Sequence, residues 1–160
     1  MNHKLPLLVL LLLIVASPVL AGSIQEFHFT SLDGKTFTSA ELKGTPLVVN
    51  IGSHWWKKCK DEAPELQRAY LEYKDRGVLF LGVFAKSKKK EIRTFAQKYL
   101  LTYPVGQENG IADAIGANGI PETIFITRDG RIVKRITATV KYKQLVAGIE
   151  EIIKQPWVRQ

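Results

Sequence analysis

Cysteine is nearly absent from this chain: Cys59 is the only one among 160 residues. No intramolecular disulfide can form, and no metal site built on paired cysteines is available. Histidine is almost as scarce, with three in the chain. Only His54 lies near Cys59, and two or three ligand types without a second Cys or His fall short of a metal constellation. The expectation is therefore no metal and no cofactor. Repeats, linkers and low-complexity tracts are missing too, and the length suits one hydrophobic core rather than two. Basic residues are not interleaved with aromatics in a stripe, which argues against nucleic acid as a partner. The apolar run Leu5 to Leu20 spans about sixteen residues, short of the roughly twenty that cross a bilayer.

That run nonetheless dominates the N-terminus. Met1 to Lys4 is short, polar and positively charged, the stretch that follows is apolar, and Val19-Leu20-Ala21 ends on a small residue. This is the layout of a secretory signal, with cleavage expected after Ala21 and a domain over residues 22–160. The protein is then expected in the periplasm or another extracytoplasmic space; the alternative is an uncleaved N-terminal membrane anchor. Export implies an oxidising compartment, where a lone cysteine is a buried bystander, a reactive thiol or half of an intermolecular bond. Acidic residues are outnumbered, 15 against 23, giving a formal charge of +8, or +7 without Lys4. Such a balance favours acidic partners or proximity to an anionic membrane surface, or simply keeps the surface soluble. A monomer is expected.

Beyond the leader, short β-like runs alternate with helix-length amphipathic stretches, as in an α/β domain. Ile24 to Phe29 reads as an opening strand, turning at Asp33-Gly34 into Thr36-Phe37-Thr38 to make a small hairpin. Ala40 to Lys43 reads as a helical turn stopped by Gly44. Pro46 to Ile51 is a largely apolar run suited to a strand buried on both faces. A helix is expected from about Lys58 to Arg76, with Leu66, Ala69, Tyr70 and Tyr73 on one side and Gly77 ending it. Val78 to Phe84 is a second buried strand, followed by a helix over Lys88 to Tyr99. A short helix around Ile111 to Ile115, strands Thr123 to Thr127 and Ile132 to Thr137 joined at Asp129-Gly130, and a helix over Lys143 to Lys154 complete the order.

The segment between the first buried strand and its helix carries the chemistry: Trp55-Trp56-Lys57-Lys58-Cys59, then Glu62, Pro64 and Glu65-Leu66. It resembles the TlpA/ResA group of exported thioredoxin-like proteins, in which Trp-Cys-x-x-Cys runs through an acidic residue and a proline into a Glu-Leu helix. Trp55 matches the family tryptophan, Cys59 the second cysteine, Glu62 the acidic residue and Pro64 the helix proline. Gly119-Ile120-Pro121-Glu122-Thr123 resembles the family segment that sets a cis-proline beside the active-site turn. The likeness extends from roughly Leu32 to Ile153. It implies a thioredoxin-like fold, with a central mixed β-sheet flanked by helices and an N-terminal β-hairpin extension, and descent from thiol–disulfide oxidoreductases.

Trp56 stands where the family has its first cysteine. In the two-cysteine cycle that residue is the low-pKa nucleophile that attacks a substrate disulfide, and the second cysteine resolves the mixed disulfide. Indole cannot replace a thiolate, so the dithiol cycle is closed to this chain. The resemblance still points to Cys59, Glu62 and Pro121 as candidate catalytic positions, with Glu62 tuning cysteine acidity and proton transfer. Trp55, Trp56, Ile120 and Pro121 are candidate substrate contacts. Each position has a plainer reading: Cys59 as a packed remnant, Glu62 as a first-turn helix carboxylate compensating the lysines, Pro121 as a turn former, and Trp56 as a cap over the vacated site. Lys57, Lys58 and Lys60 with the helix end would favour a thiolate at Cys59, whereas burial and Glu62 would oppose it. A one-cysteine peroxidase fits less well, because its cysteine would occupy the first position. Two functions follow. One is an exported relative with at most one-cysteine chemistry at Cys59, meeting a client or thiol-containing partner. The other is a non-catalytic client-binding or assembly module using the groove beside Pro121.

Overall fold

The computed structural model describes residues 24–156. The expected signal segment and its cleavage point at Ala21 lie outside the described residues. Strands β1 (His28–Thr30) and β2 (Thr36–Thr38) form an antiparallel hairpin. A five-stranded mixed sheet contains β3 (Leu47–Gly52), β4 (Leu79–Phe84), β5 (Val105–Gln107), β6 (Glu122–Ile126) and β7 (Ile132–Ile136), in the order β5-β4-β3-β6-β7. β3 runs parallel to β4 and β4 to β5, whereas β6 is antiparallel to both β3 and β7. The helices are α1 (Lys57–Tyr73), α2 (Lys89–Lys98), α3 (Ile111–Ala114) and α4 (Tyr142–Lys154). Among the described residues no helix is long and apolar enough to cross a membrane.

β3 is central because it has no solvent face: all six of its residues are buried. Its alternation splits the core in two. Val48 packs with α1, α2 and α4 through Leu66, Ala69, Ile92, Phe95, Leu145 and Ile149. Leu47, Val49 and Ile51 point the other way, against Phe29, Phe37, Ile111 and Ile115 of the hairpin and α3. Burying each such side chain contributes roughly 1.5–3 kcal/mol. α4 lies so close to β6 that a Cβ on Gly148 would enter the Phe125 ring, which only glycine avoids. α1 passes into a 3₁₀ turn, Lys74–Arg76, and the chain turns off at Gly77 with φ of 78°, a left-handed conformation that glycine adopts without a Cβ clash.

Several expectations need correction. The opening strand is only His28–Thr30; Ile24 and Gln25 instead donate backbone hydrogen bonds to the Gly130 and Ala114 carbonyls, so this segment crosses loops rather than pairing along a strand. The segment Ala40 to Lys43 keeps the expected helical turn, with the Leu42 amide bonding the Thr38 carbonyl at 3.1 Å, and it ends at Gly44 without continuing into a helix. The segment at Val105 is a strand, although three residues offer too little alternation to announce one.

Candidate functional site

The Trp55-Trp56 turn leaves the end of β3 where two other segments meet it. Ala85, just past β4, donates its N–H to the Gly52 carbonyl at 2.8 Å. On the opposite side Ile51 registers with Glu122, so Ile120-Pro121 enters the sheet alongside this end of β3, through a peptide that is cis. The strand register thus brings the tryptophan turn, the loop after β4 and the proline turn to one end of the sheet, gathering the sequence-predicted positions Trp55, Trp56, Cys59, Ile120 and Pro121.

Their exposures divide sharply. Trp55 and Trp56 are 48% and 41% exposed, and their rings meet edge to face with centroids 5.4 Å apart. Ile120 is exposed as well, while Pro121 is buried. Trp56 is the residue before α1; its extended backbone (φ −77°, ψ 126°) starts the helix without a side-chain cap, since indole has no oxygen to accept from the first-turn amides. Each tryptophan thus keeps close to half of its surface open to solvent.

Cys59 is 4% exposed. Its sulfur sits under the end of β3, where the Ser53 amide donates to Sγ at 3.4 Å. Burial pushes the thiol pKa up; the Ser53 amide opposes this, and the nearby Glu62 carboxylate adds to the rise. The buried Ser53 hydroxyl makes no hydrogen bond of ordinary geometry, but stands close enough to the sulfur to oppose the rise as well. Of the two opposing influences expected on this thiol, burial and Glu62 prevail over the lysines and the helix end. Lys57 and Lys58 point to solvent, and Lys57 pairs with Asp61 at 2.7 Å, one helical turn on.

Glu62 also departs from the plainer expectation. α1 has no acidic residue in its first turn. Glu62 lies on the inward stripe Cys59, Glu62, Ala63, Leu66, Ala69 and Tyr73, and it is wholly buried. Asn50 Nδ2 donates to Glu62 Oε1 at 2.8 Å and to Thr123 Oγ1 at 3.1 Å, and the Val140 amide donates to Glu62 Oε2 at 3.0 Å. Among the described residues it has no ion-pair partner. Desolvation therefore outweighs the two donors, and the Glu62 pKa is pushed up to about 7. Asn50, Thr123 and Val140 were missed as site residues. The one available signal was an asparagine in an otherwise apolar buried run.

His54 turns away from the sulfur: its Nδ1 lies 2.8 Å from Ser87 Oγ and 3.6 Å from Glu91 Oε2. Glu122, next to Pro121, is buried on the other face, where its carboxylate accepts from the Asn118 amide at 2.6 Å and from Thr137 Oγ1 at 3.2 Å, and faces Arg135 Nη1 at 3.5 Å. These bonds tie the loop before Pro121 onto β7.

This sheet, with a cis-proline turn beside a strand-to-helix turn, defines a thioredoxin-like protein. Solved structures agree. A thiol:disulfide interchange protein of Chlorobium tepidum TLS superposes with a TM-score of 0.75 at 22% identity, covering 82% of this chain and 95% of that one. A secreted disulfide oxidoreductase of Mycobacterium tuberculosis gives 0.70 at 24% identity, covering 78% and 95%. A model described as the AhpC/TSA family matches residues 21–135. The thiol-disulfide oxidoreductase ResA of Halalkalibacterium halodurans is 31% identical over 130 residues, 80% of this chain and 73% of the relative. ResA of Bacillus thuringiensis (strain Al Hakam) is 29% identical over 128 residues, 79% and 74% respectively. The chain belongs to the AhpC/TSA family, as a TlpA/ResA-like member of thioredoxin fold.

Proposed function

We propose that this chain is an exported relative of the thiol-disulfide oxidoreductases that has exchanged dithiol turnover for binding: it holds an extended segment of another exported protein against Trp55, Trp56, Ile120 and Pro121. The observation that carries this reading is the inversion of exposure at the site. The sole thiol is buried with its pKa raised, while the adjoining tryptophans are open to solvent. Tryptophan is favoured at binding hot spots, because it supplies a large, rigid, amphipathic contact at low entropic cost. The turn before a cis-proline offers backbone with which an extended chain can pair. The leader Met1 to Ala21 supports export to the periplasm or an equivalent space.

A reading in which Cys59 forms mixed disulfides draws on the Ser53 amide, which faces Sγ and would stabilise a thiolate once the sulfur was uncovered. Two measurements separate the readings. Insulin reduction by dithiothreitol is expected to run at the reductant's own rate in the presence of the protein. Binding of a labelled, extended, uncharged peptide, followed by anisotropy, is expected to survive Cys59→Ser and to weaken at least tenfold in Trp56→Ala. Insulin reduction that is accelerated by the protein and abolished by Cys59→Ser would overturn the binding reading.

A further inference from the structure

The rim of this site carries lysines in an arrangement that local structure does not favour. Lys57 and Lys58 are the first two residues of α1; Lys88 precedes α2, and Lys89 and Lys90 open it. A helix N-terminus has the positive end of the helix dipole, so cations there are unfavourable by some tenths of a kcal/mol each and carboxylates are preferred. Two neighbouring helices break this preference at the same end of the sheet. The segments leading into them are joined: the His54 amide and Nδ1 both meet Ser87 Oγ, and Ala85 bonds Gly52. Lys86, in the same loop, is exposed in a left-handed conformation with φ of 48°. Against these stand carboxylates that are already engaged, among them Glu108, which adjoins the end of β4 and accepts the Gly110 and Ala112 amides at 2.6 and 3.1 Å. Asp61 takes Lys57, and Glu91 accepts from the Lys88 amide at 2.7 Å and faces His54. Among the described residues, Lys58, Lys86, Lys88, Lys89 and Lys90 have no ion-pair partner, and all five are exposed, on the two segments that the contacts of His54, the residue before Trp55, with Ser87 and Glu91 hold together.

We infer that the surface formed by Trp55, Trp56, Lys58, Lys86 and Lys88 to Lys90 docks an acidic, extended segment of a partner protein, its apolar side chains on the tryptophans and its carboxylates on the lysines. This deepens the client-binding reading and rests on it. Charge complementarity selects the partner: clustered unpaired cations at an interface steer anionic partners and reject basic ones, and local helix stability is lowered to keep them there. The lysine cluster and the aromatic pair carry the assignment, with the helix ends adding only to the field.

The test uses two labelled peptides of about a dozen residues, identical except that alternate positions are Glu in one and Gln in the other, and anionic vesicles of phosphatidylglycerol as a third probe. The Glu peptide is expected to bind at least tenfold more tightly than the Gln peptide at low salt. That preference should vanish as salt is raised, because pairs at an exposed rim are screened. The Lys88→Glu/Lys89→Glu/Lys90→Glu variant is expected to remove it while leaving Gln-peptide binding intact. Equal binding of the two peptides, with loss of both in Trp56→Ala, would overturn the acidic preference and leave the client-binding reading standing. No binding of either peptide would overturn both. Vesicle binding that the triple variant abolishes, without any preference between the peptides, would assign the lysines to a membrane and overturn the proposal.

Discussion

The buried carboxyl of Glu62 makes the stability of this protein depend on pH in a direction opposite to that of most carboxylates. In an unfolded chain Glu62 titrates near 4.5; in the fold it keeps its proton until about pH 7. Below pH 4.5 both states are protonated and the group contributes no pH dependence. Between 4.5 and 7 the unfolded state releases a proton that the folded state retains, so folding stability falls as pH rises. Above 7 both are ionised and the full difference applies, about 3 kcal/mol at about 1.4 kcal/mol per unit. For a domain with a total stability of about 5–15 kcal/mol this is a large fraction. The perturbation is Glu62→Gln. Gln cannot titrate, and it offers one acceptor where two donors, Asn50 Nδ2 and the Val140 amide, need one each. The variant therefore carries a pH-independent penalty of about 1–3 kcal/mol for the unmet donor. Its closest ionisable neighbours, Cys59 and Tyr103, are both pushed up by burial and by Glu62, so they titrate above this window. Urea unfolding followed by circular dichroism at intervals from pH 4.5 to 8 gives the comparison. The gap between the natural protein and the variant should narrow by about 3 kcal/mol across the window, and the order of stability can invert at the alkaline end. Parallel curves would refute the reasoning, because they would mean that Asn50 and Val140 hold the carboxylate ionised despite its burial.

Two further outcomes concern the sulfur. The Cys59 thiol should react with an aromatic disulfide reagent at pH 8 at least a hundredfold more slowly in the native protein than in urea, because attack requires local opening; equal rates would mean that the sulfur is accessible. Trp56→Cys should create a redox pair with Cys59. The Cys59 amide already bonds the Trp56 carbonyl at 3.1 Å, and a turn closed in this way holds its end Cα atoms within about 7 Å, the span that a disulfide bridges. Lys57 and Lys58, exposed beside position 56, should stabilise the introduced thiolate rather than that of Cys59, and so make the pair more oxidising than a neutral turn would. Thiol titration after equilibration in glutathione buffers reads this out, and two free thiols under oxidising conditions would show that the turn does not permit closure.

The sequence by itself determined the class of fold and the presence of a single thiol, at Cys59. The central strand is legible because its run is apolar but for Asn50, the helices because Leu66, Ala69 and Tyr73, or Ile92 and Phe95, recur at helical spacing, and the candidate site because Trp55, Cys59, Glu62 and Pro64 stand close together in one segment. These are local patterns, and local patterns survive without knowledge of the partner surface. The inward position of Glu62 was legible in the same way, since it precedes Leu66 by one turn; what surrounds it was not. Asn50 and Val140 meet Glu62 from 12 and 78 residues away. Only the stacking of β3, α1 and the loop before α4 removes water from that carboxyl and raises its pKa. Tertiary structure likewise decided against the lysines beside Cys59. Charge adjacent in sequence acts on a thiol through the space between them, and here the sulfur turns into the sheet while the ammonium groups stay in water. That Lys58 shares one end of the sheet with Lys86 and Lys88 to Lys90 was also invisible along the chain, because it follows from the parallel pairing of β3 and β4, which brings the starts of two helices to that end.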